Sequence, residues 1–529
     1  MKIALISPLE SIISYGLRSL SAVLKEAGFE TQMIFLPRES EGLPWEGFRY
    51  AYPQGVLDEI AQLVGDSGLI GITLMTNYMD NAVQLTRHLR RATSAPIAWG
   101  GIHPTVRPEE CLEYADVICV GEGEEALREL AQRLATGQGY TGIENLWHKE
   151  DGEIVRTPLR PLQIDLDIYP YPDYEPSTSY VLYQGHLEQL TPARLVHYLS
   201  WPYTSDAVPT YTTMMSRGCT YACRYCCNNA LRQIYHGQWR VRRRSVANFV
   251  GELKAITTRF PEIQLIKIED DNFLSDVEVL RDFCAAYKRE VGRPMFITGF
   301  QPPMVDEEKI AMLMEAGMTE VRMGIQTGSA RTMRQIYHRP TRREDVLRAA
   351  QVLSRFSGPT LLPVYDIIVD NPWETEDDVL ETLRLLLDID GPYEIIMFSL
   401  TFFPGTELYT QAKEEGLLQD EVEEVYRQHY LANRRSYANG LLKLVQIRRA
   451  PRGLIRFLLW DGLRRRNWVW LPYLAYAFFS ALGYLHAGLR ALFRGDWAAF
   501  GRAFRAHLAG PNRDLQRYQG DFGEVEPGG

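Results

Sequence analysis

Cys219-Thr220-Tyr221-Ala222-Cys223-Arg224-Tyr225-Cys226 puts three thiols on one short loop, directly after a strand candidate, Thr210–Met215. Three thiolates so spaced can each take one iron of a 4Fe–4S cube, which leaves the fourth iron open to a small molecule. Zinc would want four ligands, usually paired Cys or Cys/His sets. Cys227 adjoins Cys226, and ligation by both is geometrically awkward. Cys111, Cys119 and Cys284 sit in apolar patterns and read as small core residues. A disulfide framework would spread its cysteines along the chain, so this cluster points to a reducing compartment.

Downstream of the loop, strand candidates recur at Gln264–Ile268, Met295–Thr298, Glu320–Ile325, Leu362–Val369 and Glu394–Leu400, with helical stretches between them. Six βα units predict a barrel or partial barrel over residues 206–420. Polar and glycine residues follow the strands, where barrel sites are built. They include Glu269-Asp270-Asp271-Asn272, Gly324-Ile325-Gln326-Thr327-Gly328-Ser329, Asp366 to Glu374, and the turn Phe403-Pro404-Gly405-Thr406.

Upstream, residues 1–140 alternate strand and helix patterns: Lys2–Ser7, Gly16–Ala27, Thr31–Leu36, Leu69–Thr76, Tyr78–Ala92, Ala95–Trp99, Ala115–Val120 and Glu125–Leu134. That order predicts a doubly wound parallel sheet, with ligands beyond the carboxyl ends of its strands. Small and polar residues gather at those ends: Ser7, Thr73, Gly100, Gly101, His103, Gly121, Glu122 and Gly123. Residues 141–205 read as a Pro/Tyr/Asp-rich bridging segment, with a hairpin turn at Asp151-Gly152.

The CxxxCxxC loop, with an aromatic before its third cysteine, resembles the radical S-adenosylmethionine (SAM) superfamily over residues 206 to about 410. The resemblance implies that Cys219, Cys223 and Cys226 hold a 4Fe–4S cluster and that Tyr225 lies against the adenine of SAM. It further implies that Asp270 and Asp271 receive the SAM amino group, and that Gln326 and Ser329 stand on the ribose side. The common family pattern has Glu where Gln326 stands, and glutamine hydrogen-bonds there without charge. Residues 1–135 resemble the cobalamin-binding domain that precedes such barrels. Ser7, Thr73, Gly100, Gly101, His103, Gly121, Glu122 and Gly123 are then the cobalamin contacts. Many cobalamin proteins place a cobalt-ligating His in a DxHxxG loop; here the matching loop is Ser7-Pro-Leu-Glu-Ser11 and has none. His103 is expected at the cofactor's periphery.

The chain is 46% apolar and 23% charged, which excludes a disordered or collagenous protein. Its net charge of −10 hides a split: from Leu431 onward, 16 Lys and Arg face 6 Asp and Glu. That segment is +10, so the remainder is −20. Residues 421–529 read as a basic, aromatic-rich helical region. Within it, Trp468–Leu485 carries no charge, and Arg490, Arg494, Arg502 and Arg505 interleave with aromatics beyond it. Peripheral contact of 431–529 with an anionic membrane is expected, with a buried cap or a true span as the other readings. No nucleic-acid module is visible. The amino terminus shows no signal-peptide pattern, which points to the cytoplasm, at the inner face of the membrane.

The resemblance implies a cobalamin-dependent radical SAM methyltransferase. A 5′-deoxyadenosyl radical removes hydrogen from an unactivated carbon and methylcobalamin supplies the methyl group. The basic, aromatic tail suggests an apolar or lipid substrate, and the cluster implies an external flavodoxin- or ferredoxin-like electron donor. Radical cyclisation, coupling or rearrangement without methyl transfer is the alternative within the family. A non-catalytic iron–sulfur redox or sensing protein is the alternative outside it.

Overall fold

The computed structural model describes residues 1–37, 48, 50–200, 208–273, 276–358, 361–447, 450–466 and 468–493. The Arg- and aromatic-bearing stretch expected after residue 493 lies outside them. The chain divides into two compact units. One comprises residues 1–204, 208–295 and 401–429, and the other residues 205–207, 296–400 and 430–529.

The first unit is built on a nine-stranded sheet. Its strands are β1 (Lys2–Ser7), β2 (Glu30–Phe35), β3 (Leu69–Thr73), β4 (Ile97–Gly100), β5 (Val117–Cys119), β6 (Leu146–Glu150), β7 (Glu153–Val155), β8 (Ser179–Tyr183) and β9 (His186–Gln189). The order across the sheet is β7-β6-β5-β4-β3-β1-β2-β8-β9. From β5 to β8 neighbouring strands run parallel. Ile3, Leu5 and Ile6 of β1 are at most 1% exposed. Burial on both faces is what a parallel sheet imposes, and each such side chain contributes about 1.5–3 kcal/mol. Helices Tyr15–Glu26, Gln54–Val64, Met79–Leu89 and Glu124–Ala135 alternate with the strands. Winding proceeds from β1 to β2 on one side and from β1 to β3 on the other, so the order reverses between β1 and β3. Crevices of this kind, outside the carboxyl ends of the strands, are where ligands sit in open α/β sheets.

Segment 141–200 adds strands to both sides of this sheet. The hairpin β6–β7 turns at Asp151 and Gly152, which both hold positive φ (50° and 85°), and pairs antiparallel with β5. The hairpin β8–β9 adds to β2 on the other side.

The first unit also carries β10 (Thr210–Thr213), parallel to β13 (Leu265–Ile268), and a short antiparallel ribbon of β11 (Ser216–Arg217) and β12 (Arg242–Arg243). In the second unit, β14 (Met295–Phe300, all but its first residue) begins a run with β15 (Met318–Gln326), β16 (Leu362–Val369) and β17 (Glu394–Ser399). β15, β16 and β17 pair in parallel. The helices Glu307–Ala316, Arg343–Phe356 and Glu376–Asp388 separate them. Alternate residues of β15 and β17 are buried and half-buried, the pattern of strands covered by helices on one face only. All six predicted barrel strands form, with ends shifted by at most two residues.

Helices Tyr437–Gln446, Arg452–Leu458, Asp461–Arg464 and Trp470–Phe493 also belong to the second unit. The last packs on the first through Gly440. A Cβ on Gly440 would lie 2.8 Å from the Pro472 ring and 2.9 Å from that of Tyr473. Among the described residues, no helix is long and apolar enough to cross a membrane.

Candidate active site

The cysteine loop starts from a backbone that only glycine tolerates. Gly218 holds φ +95°, and a Cβ there would stand 3.0 Å from the carbonyl of Arg240. Cys223 is buried, Cys219 and Cys226 are half-buried, and Cys227 is exposed. The Tyr221 N–H points at Cys219 Sγ (3.4 Å), and the Cys226 N–H donates to the Cys223 carbonyl (3.0 Å). Trp239 Nε1 donates to the Cys219 carbonyl (3.0 Å). Burial first, and then the nearby Asp271 and cysteines, push the Cys219 thiol up to about 11, so iron rather than the bare protein must favour its thiolate. No three His, Cys, Asp or Glu side chains converge on one point among the described residues. A cube does not need that, because each thiolate takes a separate iron. The donor set therefore fits the cluster.

Two carboxylates brace this loop. Asp270, 3% exposed, accepts the N–H groups of Met215 (2.7 Å) and Ser216 (3.2 Å) and the Ser216 hydroxyl (2.7 Å). Burial still raises its carboxyl to about 6. Glu407, in the first turn of the helix Glu407–Glu414, accepts from Arg224 Nε (2.8 Å) and Asn229 Nδ2 (2.7 Å). The Arg224 carbonyl accepts from the Leu408 N–H (3.1 Å). The Phe403–Thr406 turn thus does more than reverse the chain: Thr406 caps the helix that presents Glu407. Glu407 stands out only in the fold, although the capping threonine immediately before it is a local signal. Asp271 is exposed, and its carbonyl faces the Cys219 thiol at 3.8 Å. Tyr225 is half-buried on the loop itself.

The glycine-rich ends of the parallel strands lie in the same unit. Ser7 ends β1 and Thr73 ends the neighbouring β3, so the two flank the reversal point of the sheet. Ser7 is fully buried and its hydroxyl has no hydrogen-bond partner among the described residues. Gly101 follows β4 with φ +110°, where a Cβ would meet the Leu74 carbonyl at 2.6 Å. His103 is fully buried: Nδ1 lies 3.1 Å from the Thr76 hydroxyl, and Nε2, 4.0 Å from the Glu110 carboxylate, has no hydrogen bond among the described residues. Burial lowers its pKa to about 4, so the ring is neutral. The orphaned Ser7 hydroxyl and His103 Nε2 at the carboxyl edge fit a bound ring with polar substituents.

Gly121, Glu122 and Gly123 are tied to the cysteine side. The Glu122 N–H donates to the Tyr235 hydroxyl (2.9 Å). The Glu122 carboxylate takes both terminal nitrogens of Arg242, and Glu124 takes Arg217. These arginines sit on the ribbon β11–β12, and Arg217 lies two residues before Cys219. No local pattern signals these pairs, since their partners lie about 90 to 120 positions apart.

Gln326 and Ser329 belong to the second unit. A register shift at the end of β15 leaves Gln326 with φ +69°, rare for a side-chain-bearing residue. Gly328 is obligatory, because a Cβ there would meet Thr382 Cα at 2.6 Å. Ser329 is buried and donates its hydroxyl to Asp378, which also pairs with Arg331. Thr327 donates to Glu374 (3.0 Å), whose carboxyl burial raises to about 7.

Residues 1–131 match the model of the B12 binding domain, and residues 213–386 match that of the radical SAM superfamily. The chain is a radical SAM enzyme with an amino-terminal cobalamin-binding domain. The two models name B12 for the first domain and S-adenosylmethionine for the second. An uncharacterised methyltransferase of Pyrococcus horikoshii is 28% identical over 368 residues, which cover 68% of this chain and 73% of the relative. Among solved structures, the radical SAM methyltransferase TsrM from Kitasatospora setae, bound to tryptophan and a SAM analogue, matches with TM-score 0.60 and 18% identity. That match covers 78% of this chain and 76% of TsrM. The cobalamin-dependent SAM radical enzyme OxsB, with aqua-cobalamin and SAM bound, matches with TM-score 0.63 and 15% identity, over 96% of this chain and 83% of its own. These likenesses establish the fold: a Rossmann-like domain, a partial (β/α)6 barrel and a helical carboxyl-terminal region.

Proposed function

We propose that this radical SAM enzyme methylates an unactivated carbon of an apolar substrate, with a lipid as the favoured class. The observation that carries the reading is the set of ion pairs Arg217–Glu124 and Arg242–Glu122, which join the cysteine loop to the glycine loop after β5 within one unit. Methyl transfer to a carbon radical needs both cofactors to serve one substrate, and such ties hold their loops in register. The 28% identity to a methyltransferase supports the same direction. When bound, the cluster and SAM supply hydrogen abstraction, and cobalamin supplies a transferable methyl group.

In this reading Cys219, Cys223 and Cys226 hold three irons, and Asp270 fixes the backbone that leads into them. Tyr225 and Asp271 face SAM from the loop side, and Gln326 and Ser329 serve its ribose side. Ser7, Thr73, Gly100, Gly101, His103 and Gly121–Gly123 line the cobalamin edge. Segment 431–529 contacts an anionic membrane from the cytoplasmic side, and a flavodoxin- or ferredoxin-like protein delivers the electron.

The test is anaerobic turnover with SAM labelled in its methyl group, using extracted lipids as substrate. Label in a product carbon is the expected result. Formation of 5′-deoxyadenosine with a product free of label would replace methylation by radical cyclisation, coupling or rearrangement.

A further inference from the structure

The helix Trp470–Phe493 is apolar on two opposite faces. Pro472, Tyr476 and Ser480 are buried, on the side that packs against Tyr437–Gln446. The other side presents Trp470, Leu474, Phe478, Leu482 and Leu485, exposed by 58%, 60%, 58%, 43% and 62%. Their spacing of four, four, four and three residues keeps them on one side of the helix as a slanting stripe, roughly 22 Å long at the α-helical rise. A surface helix normally turns charge outward, and a continuous apolar stripe of this length marks a contact surface.

Charge identifies the occupant. Residues 431–493 contain ten Arg and one Lys against a single acid, Asp461, so the whole +10 excess of the carboxyl-terminal segment lies here. Residues 494–529 balance at five Arg against five acids. The charge reaches the head of the stripe: the Arg466 guanidinium stands 5.2 Å over the Trp468 ring, which stacks on Trp470 at 5.8 Å. Arg452, Arg456 and Arg465 are exposed on the same segment. A second copy of the chain would set +10 against +10. A nucleic acid offers no counterpart to the stripe. An anionic bilayer answers both features, with headgroups for the arginines, an acyl boundary for the stripe, and an interfacial zone that Trp favours.

We propose that Trp470–Leu485 is an in-plane membrane anchor whose exposed stripe enters the headgroup–acyl boundary of an anionic bilayer. One side of the helix is spent on protein packing, so it lies in the surface. This deepens the membrane contact stated under the proposed function and rests on that reading for its purpose.

The test uses the full-length, reconstituted protein and sedimentation with vesicles of phosphatidylcholine alone or with roughly 30% phosphatidylglycerol, at about 0.1 M salt. Binding to the anionic vesicles is expected to be about tenfold tighter or more, and to weaken as salt rises. Phe478→Asp with Leu482→Asp should cut that binding about tenfold or more, with the visible spectrum of the cluster unchanged. Arg465→Gln with Arg466→Gln should flatten the salt dependence. Equal binding to both vesicle types, or binding indifferent to the aspartates, would overturn the proposal. So would absence of binding, whether residues 494–529 or a second copy covers the stripe; light scattering identifies the second case. Labelled-methyl turnover on detergent-dispersed substrate is read separately, so failure of the anchor and failure of the methylation reading remain distinct.

Discussion

Arg217 donates to Glu124 at 2.6 Å, and both side chains are largely shielded, 18% and 7% exposed. The pair bolts the strand leading into the cysteines to the first turn of the helix that follows the glycine loop. Replacing Glu124 with Gln leaves a shielded guanidinium short of its main counter-charge. Glu122 stands 3.5 Å from the same group and offsets part of the loss. The expected cost is about 1–3 kcal/mol, read as a lowered unfolding midpoint in urea.

Glu407 is the acceptor that ties the cysteine loop to the helix following the last barrel turn. Glu407→Ala should cost about 1 kcal/mol in stability, since that carboxylate is partly solvated. It should also lower the iron and sulfide retained after reconstitution. Cys223→Ala should abolish the visible absorption of the cluster and SAM cleavage together. Retention of full cluster content by Glu407→Ala would show that the brace is dispensable.

Glu374 carries a pH signature. Burial raises its carboxyl from 4.5 to about 7, so the folded state holds this proton more tightly than the unfolded chain. The stabilisation is complete below about 4.5 and is lost as pH rises through about 7. Stability should fall across that window by about 2 kcal/mol from this group alone, after allowance for its partial exposure. Glu374→Gln should remove that slope, which urea titrations at several pH values would measure.

His103 is fully buried and neutral, with Nδ1 at Thr76. His103→Gln should therefore leave the axial nitrogen signature of cob(II)alamin in the electron paramagnetic resonance spectrum unchanged. Loss of a nitrogen splitting in the variant would make His103 a cobalt ligand and contradict its placement.

Gly440 allows the close passage of the carboxyl-terminal helix. Gly440→Val forces a side chain into the Pro472 and Tyr473 rings and should cost about 1–3 kcal/mol. Limited proteolysis should then cut within Trp470–Phe493 sooner than in the parent chain, and Gly440→Ala should fall between them.

Element order was largely legible because period and punctuation agree: β1, β16 and β17 appear within a residue of their expected limits. The cysteine loop was legible for the same local reason. What escaped was non-local. Asp270 reads in sequence as one acid among three, and only the fold reveals that it grips Met215 and Ser216. Glu122 reads as a loop residue, and only the fold supplies Arg242. Ser329 donates its hydroxyl to Asp378, 49 positions away, a partner that no local pattern signals. The outward stripe on Trp470–Phe493 was hidden because its other face is apolar too, so composition alone cannot tell packed from bare.

The two hairpins of segment 141–200 bear on how this protein can be taken apart. They terminate the large sheet with β7 and β9, strands of only three and four residues that carry Glu153, His186 and Glu188. Short, charged outermost strands resist pairing with foreign chains. A fragment cut at residue 140 would strip both guards away and bare the backbone of β5 on one flank and β2 on the other. The severed domain would then be a template for its own precipitation, so an expression boundary belongs after residue 190.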